Sequence, residues 1–502
     1  MAQLLKLGSN DDVAVALTSV AQGEFIPELE LTAASEVPAG HKLALHPLPC
    51  GHAVRKFNQI IGFATQPIAA GEHVHTHNLA VAEFKRDYAI GAEASGSQIV
   101  STDETTFLGF ERADGRVGTR NYVGVLTTVN CSATVARRIA AHFTPEVLRS
   151  YPNVDGVVAL THGTGCGIAS HGEPADLLRR VFTGYATHPN FASVLLLGLG
   201  CETNQVDRLV ELAGAPDSIR TANIQEEGGT TESIKNGIAT VYEMLDRASL
   251  AVRTPVTASH LVVGLQCGGS DSYSGISANP ALGVAVDHLV RSGGTAILSE
   301  TPEIYGAEHL LTRRASSAEV AERLLQRISW WENYTAQHEA SMDNNPQPGN
   351  KTGGLTTILE KSLGAVSKGG STDLREVYRY AEPVRERGLV FMDSPGFDPV
   401  SATGQVAAGA NLICFTTGRG SVFGCKPTPS IKIASNTALF RRMQDDMDIN
   451  CGSVIDGDQT VEKAGAAIFK EILEIASGKP TRSEIHGFGE EEFQPWVLGA
   501  TL

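Results

Sequence analysis

Three histidines alternate in a short segment near the N-terminus, HVHTHN at residues 73–78. If this segment is a strand, His73, His75 and His77 share one face, because successive side chains of a strand point to opposite faces. Two imidazoles on one face can bind a single metal ion. We therefore expect His75 and His77 to be metal ligands, and His41, in AGHK, is a weaker candidate. The alternative is that these are exposed histidines at a strand end.

Four apolar runs of strand length end in a cysteine. They read VLTTVNC, VVALTHGTGC, LLLGLGC and LVVGLQC and end at Cys131, Cys166, Cys201 and Cys267. Because ligands bind at the carboxyl ends of strands in parallel α/β sheets, four such thiols predict one shared crevice. The alternative is that each cysteine packs as a small apolar side chain under a tight turn. No CxxC pair occurs and the turns differ in length, which favours a mononuclear metal over an iron–sulfur cluster.

Acidic and basic groups stand close to these cysteines in the sequence. His162 lies in THGTGCG, Glu202 in GLGCETNQ, Asp271 in QCGGSDSYSG, and Glu300 closes the run AILSE. A base, an acid and a metal together suit the elimination of water beside a carboxylate. We expect His162 to be the base, Asp271 or Glu300 the acid, and Cys166 or Glu202 to complete the metal site. A buried, hydrogen-bonded ring is the alternative for His162.

Two glycine-rich loops in the C-terminal half carry cations. NPQPGNKTGG, residues 345–354, contains Lys351, and FTTGRGSVFG, residues 415–424, contains Arg419. Backbone amides beside a cation suit the binding of a carboxylate, so we expect Lys351 and Arg419 to bind the substrate. Neither loop has the GxxxxGK[ST] pattern of a phosphate-binding loop.

The elements that must position these residues fall into three parts. Residues 1–84 contain short β-type runs after recurrent glycine turns, as in VPAGHKLA, LPCGHAVRKF and IAAGEHVHTHN, and predict a small β-rich domain. Residues 85–109 lose apolar periodicity and are interpreted as a linker. From residue 110, strands alternate with helices, which predicts an α/β fold with a mostly parallel sheet covered on both faces. We divide this region into residues 110–253 and 254–502.

Local signals predict where three helices begin. Ser132 is a candidate N-cap, and Asn279 precedes Pro280 at the expected first helical position. Ser316 with Glu319 three residues later forms a predicted capping box.

Composition limits the classes of partner. The 502 residues carry a net charge of −16, which argues against a nucleic-acid partner but not against a small anionic substrate. No apolar run reaches the roughly 18 residues of a membrane span, and the N-terminus has no signal-peptide core. Eight cysteines in such a chain predict reduced thiols. We expect a cytoplasmic protein with no membrane partner.

Six segments, in order along the chain, resemble signature blocks of the altronate/galactarate dehydratase family. They are RADGRVGTRN, THGTGCG, GLGCETNQ, QCGGSDSYSGISANP, NPQPGNKTGG and FTTGRGSVFG. GHKLAL and GEHVHTHN resemble the family's small β-clip domain of the sialic-acid/antifreeze (SAF) type. The resemblance implies dehydration of an aldonate or aldarate to a 2-keto-3-deoxy acid, with Fe(II) or Mn(II), and a β-clip domain that helps to close the site. We expect Arg120 and Asn121, which end the first block, to bind substrate.

Features of both branches of the family occur, so alternatives stay open. The HxHxH segment resembles altronate dehydratases, whereas YPNVDGVV and MDINCGSV resemble the galactarate branch. We expect altronate first and galactarate as the alternative. The chain is also similar to sulfolactate sulfo-lyases, which divide the β-clip and large parts between separate chains. A non-catalytic sugar-acid-binding protein is opposed by the density of His, Cys and Glu, and assembly into a homo-oligomer is left open.

Overall fold

The computed structural model describes residues 3–96, 105–214 and 216–499. Within these ranges a small N-terminal β domain precedes two parallel sheets with helices packed around them. The predicted α/β fold class is confirmed. Among the described residues, the search for a helix both long enough and apolar enough to span a membrane finds none.

The N-terminal domain consists of short strands. They are β1 (Leu4–Leu5), β2 (Val13–Ala16), β3 (Phe25–Ile26), β4 (Leu31–Thr32), β5 (Lys42–Ala44), β6 (Ala53–Lys56), β7 (Gln59–Ala64), β8 (His73–Val74) and β9 (Leu79–Ala80). One sheet has the order β1-β2-β5-β8, another β6-β7-β9, and β3 pairs with β4. Gly40, Gly51 and Gly71 precede β5, β6 and β8 at φ of 83°, 81° and 78°. A residue with a side chain is strained at such angles, so these glycines allow three similar turns.

The middle of the chain forms two further sheets. Their strands are β10 (Thr106–Glu111), β11 (Val117–Gly118), β12 (Tyr122–Thr127), β13 (Gly156–Leu160), β14 (Phe191–Gly198), β15 (Ile219–Asn223) and β16 (Thr254–Thr257). The four-stranded parallel sheet has the order β13-β12-β14-β15, and the small antiparallel sheet has the order β11-β10-β16. The end of the predicted linker is therefore paired, through β10, with the first strand after residue 253. Residues 97–104 of that linker lie outside the described residues.

The C-terminal part is built on a seven-stranded parallel sheet. Its strands are β17 (Val262–Cys267), β18 (Thr295–Leu298), β19 (Leu374–Tyr378), β20 (Gly388–Met392), β21 (Leu412–Thr417), β22 (Ser430–Ala434) and β23 (Ile449–Asn450). The order is β19-β20-β18-β17-β21-β22-β23. Strands β18 and β21 are buried along their whole length, and β17 is buried from Val263 onwards, as expected for a parallel sheet covered on both faces.

Helices pack around both parallel sheets. Along the described chain they are α1 (Ala133–Ala140), α2 (Pro145–Leu148), α3 (Glu173–Ala186), α4 (Val206–Leu212), α5 (Thr230–Ala248), α6 (Ala278–Arg291), α7 (His309–Thr312), α8 (Ala318–Gln337), α9 (Pro348–Thr352), α10 (Ile358–Ser367), α11 (Asp398–Ala407), α12 (Thr437–Arg442), α13 (Gly452–Ile455), α14 (Val461–Ala476) and α15 (Arg482–Ile485). Ala285 of α6 and Ile468 of α14 belong to one apolar core. Val181 of α3 and Val406 of α11 belong to another, so the middle and C-terminal parts share a core.

The predicted helix starts differ from the structure in detail. Helix α6 begins at Ala278 after Ser277, so Asn279 is a buried helical residue and not the N-cap. Helix α8 is capped by the side chain of Ser317, one residue after the predicted Ser316. Ser132 does precede α1, but its hydroxyl donates to backbone carbonyl oxygens and does not cap the helix.

A buried ion triad fixes the N-terminal domain to the C-terminal part. The Nζ atoms of Lys42, on β5, and Lys56, on β6, lie 2.9 Å from different carboxylate oxygens of Glu360, on α10. All three side chains are buried. Burial lowers the pKa of Lys42 to about 8 although Glu360 opposes that change. Burial alone would raise the pKa of Glu360, but the two ammonium groups hold it well below its usual range.

Replacing Glu360→Ala should destabilise the protein by about 3–5 kcal/mol, because two buried ammonium groups lose their counter-ion. Thermal and denaturant unfolding measure this loss. The control is Glu211→Ala, which removes an exposed ion pair with Arg208 and should cost less than about 1 kcal/mol. Equal stability of the two variants would contradict the role given to the triad.

Candidate active site between the N-terminal domain and the C-terminal part

Three histidine rings of the N-terminal domain meet beside the C-terminal part. His41 Nδ1 lies 3.0 Å from His73 Nε2, and the ring centroids of His41 and His75 are 4.7 Å apart. The pairing of β5 with β8 brings together the turn that carries His41 and the segment that carries the other two. His41 Nε2 lies 3.2 Å from the carbonyl oxygen of Thr352, so the cluster faces α9.

The geometry of the three rings fits a metal ion. Each ring offers one nitrogen, and these atoms lie within 4.8 Å of one another. Two ligands at right angles and about 2.1 Å from one ion are about 3.0 Å apart, which is the separation between His41 and His73. His75 Nδ1 is buried and has no hydrogen-bond partner among the described residues. Burial lowers the pKa of His73 to about 4 and that of His75 to about 3, so both rings are neutral at neutral pH.

The predicted histidine pair is only partly present in this cluster. His75 belongs to it, whereas His77 is exposed, with its ring centroid 5.4 Å from that of His73. The cluster instead takes in His73 and His41, the candidate ranked lower from sequence. Pairing of two strands that are distant in sequence supplies His41, which spacing within HVHTHN does not reveal.

The four strand-end cysteines do not share one crevice. Cys131, Cys166 and Cys201 follow β12, β13 and β14 of the four-stranded sheet, whereas Cys267 ends β17 of the seven-stranded sheet. The prediction of a single crevice is wrong because the strands belong to two sheets. Cys166 and Glu202 do not belong to the group of three histidines, and the Glu202 carboxylate accepts hydrogen bonds from the Leu199 and Gly200 amides of its own turn.

A second cluster lies at the carboxyl ends of β17 and β18. Cys267 Sγ is 3.3 Å from Glu303 Oε2 and 2.9 Å from Lys368 Nζ. Lys361 Nζ lies 2.6 Å from Glu303 Oε1, and Lys368 Nζ lies 3.7 Å from Glu300 Oε2. All five side chains are buried. Burial raises the pKa of the Cys267 thiol to about 12 despite the nearby Lys368.

Glu300 is the residue of this cluster with unused hydrogen-bonding capacity. Its backbone has a φ of 71°, a left-handed conformation that is unfavourable for glutamate and often marks functional sites. Both carboxylate oxygens are buried without a hydrogen bond to the described residues. Burial and the charge of Glu303 raise its pKa well above the usual range. The same two causes raise the pKa of Asp398, at the start of α11, to about 7.

Helix α10 connects the two clusters. Glu360 binds Lys42, the neighbour of His41, and the next residue, Lys361, binds Glu303. A narrow cavity beside this turn of the helix is lined by residues of the ion triad and of the second cluster. Its polar lining includes Lys56, Cys267, Ser270, Asp271, Ser272, Glu360 and Lys361.

Two predicted catalytic residues, His162 and Asp271, are hydrogen-bonded within the protein. His162 lies in the middle part, where Nε2 is 3.0 Å from the Thr127 carbonyl oxygen and Nδ1 accepts from the Thr164 amide. Burial lowers the pKa of this ring to about 4. The buried Asp271 carboxylate accepts hydrogen bonds from Ser274 of its own turn and from Ser435 and Asn436, and so joins two segments. In contrast, the Glu300 carboxyl group accepts no hydrogen bond from the described residues and lies 3.7 Å from the ammonium group of Lys368.

Arg120 and Asn121 precede β12 and therefore lie at the edge of the sheet opposite Cys131. All five N–H groups of the Arg120 guanidinium are used within the protein. They donate to the carboxylate of Glu484 and to the carbonyl oxygens of Thr119, Ile475 and Lys479. The side-chain amide of Asn121 donates to the backbone carbonyl oxygens of Asn153 and Ala248. These contacts explain both residues structurally and leave Arg120 without a donor for substrate.

The two predicted carboxylate binders lie nearer to the candidate site. Lys351 is half-buried in α9, directly before Thr352, whose carbonyl oxygen contacts His41. Arg419 is exposed, and its backbone amide donates to the carbonyl oxygen of Gly269 at 2.8 Å, in the turn after Cys267.

The lysines of the ion triad and of the second cluster were not predicted from the sequence, although the sequence carries a signal for them. Lys56 shares the buried face of β6 with Val54, which is an unusual place for an unpaired lysine. Lys361 and Lys368 are seven residues apart, a spacing that places both on one side of α10. A lysine on an inward face predicts that it has a buried acidic partner, but the sequence does not identify which acidic residue that partner is.

Comparison with known proteins accounts for almost the whole chain. Residues 2–82 match the "Altronate/galactarate dehydratase SAF domain", residues 109–249 the "D-galactarate dehydratase/Altronate hydrolase, second domain", and residues 258–501 the "D-galactarate/Altronate dehydratase, C-terminal" family. Altronate dehydratase of Bacillus subtilis (strain 168) is 32% identical over all of both chains. Galactarate dehydratase (L-threo-forming) of Escherichia coli (strain K12) is 37% identical over 95% of this chain and 93% of the relative. Altronate dehydratase of the same strain is 35% identical over 97% and 98%.

The proton held by Asp398 has a measurable consequence. Its pKa of about 7 exceeds that of an unfolded aspartate, so the folded protein binds a proton that the unfolded chain releases between about pH 4 and pH 7. This stabilisation is complete below about pH 4 and is lost as the pH rises through 7, by up to about 1.4 kcal/mol per pH unit. Asp398→Asn should therefore flatten the decline in thermal stability between about pH 5 and pH 8.

Thermal unfolding in a buffer series measures this slope. Asp458→Asn, at an exposed aspartate, serves as the control and should keep the wild-type slope. Identical slopes for wild type and Asp398→Asn would contradict the assignment of the raised pKa.

Proposed function

The chain belongs to the altronate/galactarate dehydratase family and is an enzyme of the lyase type, and from that membership we propose that it dehydrates a sugar acid to a 2-keto-3-deoxy acid. The observation that carries the proposal is the three-histidine cluster, which faces the C-terminal part and is linked through α10 to a second cluster rich in carboxyl groups. Such a pairing supplies a metal site and proton-transfer groups to one substrate.

His41, His73 and His75 are the proposed ligands of a divalent metal, Fe(II) or Mn(II). The 3.0 Å separation of two ring nitrogens and the unpartnered His75 Nδ1 support this assignment. When bound, the ion would supply positive charge for the negative charge that develops beside the substrate carboxylate. Lys351, which borders the same cluster, is the proposed partner of that carboxylate.

Proton transfer is assigned to the carboxyl groups of the second cluster. Asp398, with a pKa of about 7, is suited to take the proton from C2 at neutral pH. Glu300, whose raised pKa keeps it protonated, is suited to give a proton to the departing 3-hydroxyl group. The C2–H and C3–O bonds break, one water leaves, and the resulting enol becomes the 2-keto-3-deoxy acid by protonation at C3. Asp271 would position the loops around these groups, and His162 would hold the turn before Cys166.

Altronate is the proposed first substrate, with galactarate as the alternative. Two relatives named altronate dehydratase match this chain over 100% and 97% of its length. The relative named galactarate dehydratase has the higher identity, 37%, and keeps the alternative open. We also propose that the enzyme works in the cytoplasm, which its eight free thiols support.

The test is a panel assay of the protein loaded with Fe(II) or Mn(II). Hexonates, hexarates and sulfolactate are offered separately, and 2-keto acid and sulfite are measured. We expect 2-keto-3-deoxy acid from altronate. His75→Ala should lower both metal affinity and activity by at least roughly 10–100-fold, because even the loss of a residue that only hydrogen-bonds a metal ligand has an effect of that size. His77→Ala, in the same segment, should retain both.

Release of sulfite without turnover of any sugar acid would contradict the dehydratase assignment. Equal metal content and activity in wild type and His75→Ala would contradict the three-histidine site. Loss of activity in His77→Ala with retention in His75→Ala would instead favour the original sequence-based pair with His77.

A further inference from the structure

Three exposed cysteines lie on one rim of the middle domain. Strands β13, β12 and β14 are neighbours in a parallel sheet, so their carboxyl ends form one edge. Cys131 follows β12, Cys166 follows β13 and Cys201 follows β14, and all three thiols belong to exposed residues. Adjacent strands are about 4.8 Å apart, so the three segments begin side by side.

Hydrogen bonds tie the segment of Cys131 to the segment of Cys166. The Asn130 amide donates to the Thr164 carbonyl oxygen at 2.9 Å, and the Asn130 side chain donates to the His162 carbonyl oxygen at 3.1 Å. Gly165 approaches so closely that a Cβ atom there would lie 2.4 Å from the Thr128 carbonyl oxygen. The turn before Cys166 therefore lies directly against the turn before Cys131.

The segment of Cys201 is tied to the same turn from the other side. The Thr128 hydroxyl donates to Glu202 Oε1 at 2.6 Å, and Glu202 Oε2 accepts from the Gly200 amide at 2.8 Å. The Ser132 hydroxyl donates to the Leu197 carbonyl oxygen at 2.9 Å. The central segment, which carries Cys131, is thus fixed on both sides to the segments that carry the other two thiols.

The surroundings leave room for a ligand larger than a single ion. Gly165, Gly167 and Gly200 flank two of the cysteines at φ of 103°, 68° and 123°, so the turns carry no bulky side chain beside the thiols. A cavity of about 440 Å³ adjoins the rim, and its lining includes Asn130, Arg137, Thr161, Thr164 and Gln494. The rim is therefore open to this space on the side of Asn130 and Thr164.

We propose that Cys131, Cys166 and Cys201 bind a cubane iron–sulfur cluster. Three thiolates would ligate three of its irons and leave the fourth iron without a cysteine ligand, open to a small oxygen-containing molecule. Each thiol loses its proton on ligation. The sequence favoured a mononuclear metal because it has no CxxC pair and the turns before the cysteines differ in length. In the structure, hydrogen bonds hold the three turns of this rim together although their lengths differ, whereas Cys267 is buried in the other sheet against Lys368.

The proposal is tested on the full-length protein purified without oxygen. Acid-labile sulfide is the decisive quantity, because a mononuclear ion at the histidine cluster contributes iron but no sulfide. We expect about four sulfides per chain and broad absorption near 400 nm, as for a cubane cluster. Cys131→Ser, Cys166→Ser and Cys201→Ser should each lose most of the sulfide and the absorption. Cys50→Ser, at an exposed cysteine of the N-terminal domain, should lose neither.

Alkylation of the wild-type protein gives a second readout that needs no variant to fold. With the cluster in place, iodoacetamide should modify Cys50 and spare the three rim cysteines; after removal of iron and sulfide, mass spectrometry should find all four modified. Alkylation of all four in the anaerobically purified protein would overturn the proposal. Zinc in place of iron, iron without sulfide, or an unchanged spectrum in the three serine variants would do the same.

Discussion

The carboxylate of Glu360 is the point at which the N-terminal domain is fixed to the C-terminal part. It accepts both Lys42 and Lys56 at 2.9 Å in a region closed to solvent. Removing three charges from water is costly, and their mutual attraction offsets that cost only when the geometry is correct. The triad therefore selects one arrangement of the two domains more than it adds stability. Because His41 precedes Lys42 in the chain, the same contact sets where the histidine cluster lies.

The protonation states of the side chains in the site follow from this contact between the two parts of the chain. Burial, Lys42 and the neighbouring histidines keep the rings of His73 and His75 neutral. Burial and the carboxylate of Glu303 keep Glu300 protonated and raise the pKa of Asp398 to about 7. Glu360 and Lys361 are adjacent in α10. Glu360 is the counter-ion of the lysines of the N-terminal domain, and Lys361 is the counter-ion of Glu303 in the second cluster. A domain that binds through its own lysines thus brings the neutral histidine rings, the proposed metal ligands, to the part of the chain that carries the proposed proton-transfer groups.

Much of the fold could be predicted from the sequence, because strand-length apolar runs and glycine turns report local structure. The three glycines before β5, β6 and β8 have the expected left-handed φ, and the parallel strands lie where the runs place them. Helix starts differed by one or two residues. Ser317, not Ser316, caps α8 by a local bond, and Asn279 lies inside α6, where its side chain bonds to Gly364 and Thr416. It was harder to predict from the sequence which residues form the site. Spacing identified HVHTHN but could not show that His41 joins it across strands, nor that Cys267 lies in a different sheet from the other three cysteines.

The account rests on the claim that His41, His73 and His75 hold the metal at the contact between the two domains. Anomalous X-ray scattering from crystals of active enzyme loaded with Mn(II) tests this most directly, because it locates the ion without reference to any assumed ligand. The account predicts a peak within about 2.1–2.3 Å of one ring nitrogen from each of the three histidines. A peak bound by Cys267, Glu300 and Glu303, or one elsewhere with the three rings unoccupied, would contradict it.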